Sequence, residues 1–267
     1  MADEPDASAS SRAEEVPQGS LARGLRILEL VAAHSAAASI GTLAKNSGLD
    51  KGTTSRIVTS LVSLGYLNRR EDRSVTLTSR ALVLAHGFEA SFDLKRLARP
   101  TVSALSAQLA ETVHLAVPDR GRVVYVDSVR PATETAFASI VGLTADMHVT
   151  ATGRALLYAM PEKKRNDLVT EAQAHPLEPE LAFDADEFAR GLRSVSADGY
   201  VSIDRRDGIA RVAAAVVDAT GEPLAALGVF SARGDAPDVV DALGVACRDA
   251  ALALSHQLAG PGVGLHA

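Results

Sequence analysis

Two short helical segments joined by a tight turn constrain the fold of this 267-residue chain more than any other feature. Ser39 can cap a helix that runs over residues 40–47, and Gly48 can adopt the left-handed conformation that ends such a helix. Asp50 can then cap a third helix, with the sequence KGTTSRIVTSLVSLG, which stops at Gly65. This order of capping and stop residues predicts a helix-turn-helix.

An amphipathic helix is predicted before this pair, and a hairpin after it. In the first helix, apolar residues that recur at helical spacing are expected to face inward: Leu21, Leu25, Leu28 and Ala32. The corresponding inward stripe of the third helix is Thr54, Ile57, Val58, Leu61 and Leu64. Two short strands are then predicted at YLNRR and VTLT, joined by the turn EDRS. This hairpin predicts a wing beside the helices.

The outward face of the third helix carries short polar or cationic residues and no acid. An ordinary solvated face of an acidic protein usually includes carboxylates, whereas a face that meets phosphates and base edges excludes them. The third helix and the wing are therefore predicted to contact DNA. The residues in question are Lys51, Thr53, Ser55, Arg56 and Thr59 on the helix and Arg69, Arg70 and Arg73 near the hairpin tip.

The distribution of charge supports this prediction. The chain has a formal net charge of −6, yet residues 20–80 carry nine Lys or Arg against four Asp or Glu. A phosphate-contacting module attached to an acidic sensing or assembly domain would show this pattern, and a chance asymmetry is the alternative.

Composition limits the remaining classes of protein. With Cys247 as the single cysteine, the chain has no internal disulfide and no cysteine-cluster metal site, which fits a reducing compartment. No apolar run approaches the roughly 20 residues of a membrane span, and the acidic N-terminus lacks the apolar core of a signal peptide. We expect a cytoplasmic protein that does not bind a membrane, a metal or a cofactor. Residues 1–19 are predicted to be a disordered tail and residues 261–267 a flexible C-terminus.

A resemblance to the IclR family of transcriptional regulators rests on segments that occur in family order between residues 21 and 258. The N-terminal segments are SLARGLRILELVAAH and SIGTLAKNSGLDKGTTSRIVTSLVSLGYLNRREDRSVTLT. The later segments are LKRLARPTVSALSAQLAETVHLAV, VVYVDSV, MHVTATGRALLYAMP, DGYVSID and ARVAAAVVDATGEPLAALGVF. The resemblance implies an α+β protein with a winged helix-turn-helix over residues 20–80 and a linker helix over 81–98, broken near Phe92 and Asp93. A GAF-like α/β effector-binding domain with an antiparallel sheet would follow over residues 99–260.

Alternating helical and strand patterns in the second half agree with such a domain. Strands are predicted at 112–117, 123–129, 135–141, 200–203, 209–217 and 224–231. Helices are predicted at 94–109, 153–160, 161–173, 185–197 and 237–259.

The sequence HVTATGRALLYAM places small polar residues directly before a predicted helix start at Thr152 and Gly153. Free amides and the positive end of the helix dipole converge at such a point and favour an anion. A plain helix start, with a glycine for close packing, is the alternative. By resemblance, the amides of Ala151, Thr152 and Gly153 would bind an effector carboxylate.

Arg211 occupies a position where the family has a pocket-facing side chain, and its guanidinium would clasp a carboxylate. Pairing with Asp204 or Asp207 at the surface is the alternative. Ile209 would supply an apolar wall. One departure bears on the pocket, because the segment DRRDG before this strand is shorter than its family counterpart and lacks a Glu.

Phe137 and Ser139 complete the predicted effector site, on a strand that flanks the pocket in the family; core packing explains Phe137 equally well. His148 is included as a candidate contact, although lone histidines such as His114 and His148 are more often core groups. Cys247, in an apolar helix, is expected to be a buried small hydrophobe.

An enzymatic function is not expected, because the chain has no Walker loop, GxSxG, HExxH or dinucleotide fingerprint. The sequence therefore indicates a regulator that binds double-stranded operator DNA as a dimer or tetramer and responds to a small organic acid, with aromatic carboxylates among the candidates. The alternative is a DNA-binding regulator whose larger domain only oligomerises or docks a protein partner, without an effector.

Overall fold

The computed structural model describes residues 19–34, 37–131, 141–174, 184–205, 207–234 and 236–259. Contacts divide the chain after Ala90 into two compact units. Among the described residues, no helix is long and apolar enough to cross a membrane.

The first unit is a winged helix-turn-helix. Its elements are α1 (Ser20–Ala33), α2 (Ile40–Ser47), α3 (Lys51–Ser63), β1 (Leu67–Arg69), β2 (Val75–Leu77) and α4 (Ala81–Ser91). Strands β1 and β2 pair antiparallel as the predicted hairpin, and Ala38 adds a bridge to Val75.

The turn between α2 and α3 forms through the predicted caps. The Ser39 hydroxyl accepts the amide of Thr42 at 3.0 Å, and the Asp50 carboxylate accepts that of Thr53 at 2.8 Å. Gly48 ends α2 at φ 70°, a left-handed conformation that costs glycine little. These local interactions reverse the chain and set α3 on the surface of the unit.

The inward face of α1 differs from the prediction. Ile27 and Val31 are buried, whereas Leu21 and Leu25 are 75% and 51% exposed. Two apolar stripes compete on this helix, and at about 100° per residue the Leu21 stripe lies more than a quarter turn from Ile27. The stripe that packs on α2 and α3 is that of Ile27. Leu64, predicted to face inward, is also exposed, because α3 has already ended there.

The second unit is a sheet with helices on both faces. Its helices are α5 (Asp93–Leu109), α6 (Ala151–Ala159), α7 (Glu162–Ala174), α8 (Ala185–Asp198) and α9 (Pro237–Leu258). Its strands are β3 (Thr112–Asp119), β4 (Arg122–Val129), β5 (Thr144–Asp146), β6 (Val201–Ser202), β7 (Ala210–Val217) and β8 (Pro223–Ser231). The described strands are ordered β5-β4-β3-β8-β7-β6, and each neighbouring pair is antiparallel.

Alternation along the strands divides the side chains between two cores. Val113, Val212 and Val229 belong to the core that α5 and α9 cover. Ala116, Ala213 and Ala226 belong to the core that contains α6. Successive residues of each strand therefore point to different helical layers.

Most predicted elements of this unit are present, with small shifts. Helix α6 begins at Ala151, two residues before its predicted start, because Thr150 caps it. The predicted break near Phe92 is confirmed, since α4 ends at Ser91 and α5 begins at Asp93. Strand β5 was missed because three residues give no period to recognise. The predicted strand 135–141 lies outside the described residues except for Val141, which is in a turn.

Candidate functional site

Helix α3 presents its polar face to solvent. Lys51, Arg56 and Thr59 are exposed, and Thr53 and Ser55 are half-buried at the edge of that face. Two of the side chains bond within the helix, because Arg56 Nη2 donates to Thr53 Oγ1 at 3.3 Å and Thr59 Oγ1 donates to the Ser55 carbonyl at 2.8 Å. The structure thus brings the five predicted α3 residues onto one surface that has short donors and acceptors, two cations and no carboxylate.

The hairpin adds three exposed cations, Arg69, Arg70 and Arg73. The Asp72 carboxylate accepts the hydroxyl and the amide of Ser74, and these hydrogen bonds lower the pKa of Asp72. Arg73 has a φ of 65°, a left-handed conformation that turns the chain at the tip. Asp72 is therefore held within the turn, and the arginines form the charged rim of the wing.

The start of α6 is buried and only partly available to a ligand. Thr150 Oγ1 accepts the Gly153 amide at 3.0 Å, so this amide, which was predicted to bind a carboxylate, already has an acceptor within the protein. A Cβ at Gly153 would lie 2.2 Å from the Met147 carbonyl oxygen, so a glycine is needed for close packing. The amides of Ala151 and Thr152 precede any intrahelical acceptor and remain candidates.

Arg211 makes the surface pair that was the alternative expectation. Its Nη1 and Nη2 donate to the two carboxylate oxygens of Asp207 at 2.8 and 2.7 Å. Hydrogen bonding to Arg211 lowers the pKa of Asp207 to about 2. The expected clasp of an effector by an unpaired guanidinium is therefore not present, since the charge of Arg211 is already balanced.

The other predicted effector residues fall in different places. Ile209 is half-buried just before β7, where its amide donates to Asp207 at 3.2 Å. His148 is buried, which lowers its pKa, and its carbonyl accepts Arg154 Nε at 2.7 Å. Phe137 and Ser139 lie outside the described residues.

A row of polar residues on the α6 face of the sheet was not among the predicted sites. His114 on β3 lies directly opposite Ser128 on β4 and Gly228 on β8, and Thr112 lies two residues before His114. His114 and Thr112 have no exposed surface. Alternation of polar and apolar residues along β3 could have indicated this row, but period two alone does not show which face carries a ligand.

The row lies beside the start of α6. The Thr152 hydroxyl is 3.1 Å from the Tyr125 hydroxyl, and the Tyr125 and His114 rings are edge to face at 5.7 Å. A Cβ at Gly228 would lie 2.6 Å from the Thr152 methyl group, so Gly228 lets the first turn of α6 approach the sheet. The start of α6 and the row of His114 therefore belong to one local site.

Comparison with known proteins matches both units. The family model described as "Bacterial transcriptional regulator IclR C-terminal" covers residues 88–256, and "IclR helix-turn-helix domain" covers residues 20–71. The Pca regulon regulatory protein of Pseudomonas putida is 26% identical over 220 residues, which are 80% of this chain and 75% of that protein.

Two solved structures show the same fold. An IclR-family regulator from Brucella abortus has a TM-score of 0.73 and 24% identity, with 89% of this chain and 92% of that chain covered. An IclR homologue from Microbacterium hydrocarbonoxydans, in complex with 4-hydroxybenzoate, has a TM-score of 0.64 and 23% identity, with 90% and 99% covered.

Proposed function

The chain belongs to the IclR family of DNA-binding transcriptional regulators, and from this membership we propose that it binds an operator through α3 and the wing and that a small organic acid modulates this binding. The observation that carries the first half is the outward face of α3. It combines exposed Lys51 and Arg56 with short polar side chains and contains no carboxylate.

The proposed division of labour within the interface follows from the position of each group. Arg56, Thr53 and Ser55, in the first two turns of α3, are assigned to base edges in the major groove. Lys51 and Thr59 flank them and are assigned to phosphates. The wing arginines, Arg69, Arg70 and Arg73, are assigned to the neighbouring backbone, where they add affinity without reading sequence.

The proposed domains have the boundaries expected from the sequence. Residues 20–80 would bind DNA, residues 81–98 would transmit the signal, and residues 99–260 would bind the effector. A two-fold homo-oligomer is proposed because one recognition helix covers only a few base pairs and symmetry doubles the contacts.

The second half of the proposal rests on the buried face beside α6. Polar side chains enclosed there without partners favour a ligand-binding domain over one that only oligomerises. The Microbacterium homologue in complex with 4-hydroxybenzoate supports an acid as the effector class. The first amides of α6, at Ala151 and Thr152, are proposed to face the carboxylate, and Phe137, Ser139, His148 and Ile209 remain candidate walls.

The proposal is tested by titrating the full chain onto DNA fragments from upstream of its own gene, with fluorescence anisotropy at several salt concentrations. We expect affinity to fall steeply as salt rises, because each neutralised phosphate releases counterions. In a variant in which Arg69, Arg70 and Arg73 are all replaced by Ala, affinity should fall less steeply with salt. Replacing the exposed Arg96 on α5 by Ala should leave the salt dependence unchanged. Salt-independent binding, or no binding to any upstream fragment, would contradict the proposed interface.

A further inference from the structure

Three polar side chains on the α6 face of the sheet, those of the buried His114 and Thr112 and of the half-buried Ser128, hold buried polar atoms without a partner in the described part of the chain. His114 Nδ1 and Nε2, Thr112 Oγ1 and Ser128 Oγ have no hydrogen-bond partner among the described residues. Such atoms normally find a partner in a folded protein, because an unsatisfied buried donor or acceptor is costly. Several unpaired groups on adjacent positions of one face therefore point to a ligand.

The sheet register brings these groups together. Ser128 is the direct partner of His114 across β3 and β4, so their side chains leave the same face at neighbouring positions. Thr112 is on the same strand and face as His114. The three groups form a short line of donors and acceptors, the His114 edge, beside the first turn of α6. A hydrogen bond between the Thr152 and Tyr125 hydroxyls holds this turn against the sheet.

The edge is uncharged. Burial lowers the pKa of His114 to about 4, so its imidazole is neutral at neutral pH and offers one donor and one acceptor. Two cations on this side of the sheet are already paired, since Arg211 bonds Asp207 and Arg154 bonds Glu187. A neutral edge with both donors and acceptors suits a hydroxyl group, which also donates and accepts, better than an isolated carboxylate.

Aromatic rings border the same edge. The Phe230 ring centroid is 4.6 Å from that of His114, and the Tyr125 ring approaches it from the neighbouring strand. These rings favour a planar apolar body for the molecule whose polar end meets His114.

We propose that His114, Ser128 and Thr112 bind a hydroxyl group of the effector, so that the effector class is a hydroxylated aromatic acid. The hydroxyl meets the His114 edge and the carboxylate points toward the first amides of α6. This inference rests on the proposed effector-binding function and adds the group that gives the site its selectivity.

The test compares benzoate with its three monohydroxy isomers by titration calorimetry on the full chain. We expect at least one isomer to bind about tenfold or more tightly than benzoate, because a site built to bond a hydroxyl rejects the analogue that lacks it. In Ser128→Ala that ratio should fall below about threefold while benzoate affinity stays unchanged. Ser202→Ala, an exposed serine of the same sheet, is the matched control and should keep the ratio.

His114→Asn provides a second variant that retains a donor and an acceptor, and it should also lower the ratio. If the ratio in Ser128→Ala equals that of the wild type, or if no hydroxylated isomer binds better than benzoate, a water molecule satisfies the edge and the inference is wrong. Absence of binding by all four acids also overturns it. Operator binding by the same proteins without any acid separates these outcomes from failure of the proposed DNA-binding function, because the contacts proposed for α3 and the wing do not include the His114 edge.

Discussion

Helix α3 and the His114 edge use polar side chains in opposite surroundings. The α3 groups lie at the surface, where water and salt screen each charge and a single contact contributes little. The His114 edge lies inside the second unit, where the same kinds of hydrogen bond are strong when made and costly when absent. Substitutions on α3 should therefore change DNA binding and spare stability, whereas substitutions near the edge should affect both stability and ligand selectivity.

The largest expected effect is at the buried site. Gly153→Ala places a Cβ 2.2 Å from the Met147 carbonyl oxygen, and since this contact is with backbone, the 3-10 turn that begins at Met147 and helix α6 must move apart. We expect the free energy of unfolding to fall by about 3 kcal/mol, measured by urea denaturation. In Gly24→Ala on α1, where a Cβ meets nothing within 4 Å, stability should rise by about 0.5–1 kcal/mol. Equal effects of the two substitutions would remove the contrast between the regions.

The second effect is a loss of stability at low pH. Because the pKa of His114 is about 4 in the native state and near 6.5 when unfolded, the unfolded chain binds more protons as the pH falls through that window. Native stability is therefore lost on acidification, by about 2 kcal/mol between pH 7 and 4.5 from this group alone. The His114→Gln variant should lose less stability over the same range than the wild type, by that difference. Parallel stability curves for the two proteins would show that His114 is not enclosed.

The third effect is on DNA alone. Arg56→Ala should lower discrimination between the operator and an unrelated fragment about tenfold, or about 1.4 kcal/mol, because a base contact is lost. Arg73→Ala should weaken binding to both fragments alike. Neither change should shift the urea midpoint. If Arg56→Ala also weakens both fragments equally, Arg56 contacts phosphate and the assignment of base reading to this residue is wrong.

The smallest effect is expected at Arg211, whose ion pair with Asp207 is neither as exposed as the α3 residues nor as buried as the His114 edge. Arg211→Ala should reduce stability by less than about 1 kcal/mol, because the Asp207 side chain is 40% exposed and screened. Acid affinity should change less than about threefold, since the guanidinium is already engaged. A tenfold loss of hydroxybenzoate affinity would instead support the hypothesis that Arg211 binds the effector carboxylate. Asp207→Ala, measured in parallel, separates loss of the pair from loss of the cation.

The sequence predicted the local structure around α3 far better than the surroundings of α6. Caps at Ser39 and Asp50 and the absence of acids from α3 are local signals, and they placed the residues proposed to contact DNA on one surface. The fate of Arg211 and Gly153 depended on partners that the sequence left open, Asp207 and Thr150. The His114 edge depends on strand register and on which polar atoms lack partners, and neither is encoded in a local pattern. The inward stripe of α1 was wrong for the same reason, since tertiary packing chose between two apolar stripes.

Coupling between the two sites is the central claim, and a reciprocal titration tests it most directly. Operator affinity of the full chain is measured with and without saturating 4-hydroxybenzoate, and 4-hydroxybenzoate affinity is measured with and without saturating operator. We predict that each ligand changes the affinity of the other by the same factor, of about fivefold or more, because coupling free energy is shared. Binding of 4-hydroxybenzoate that leaves operator affinity unchanged would contradict it.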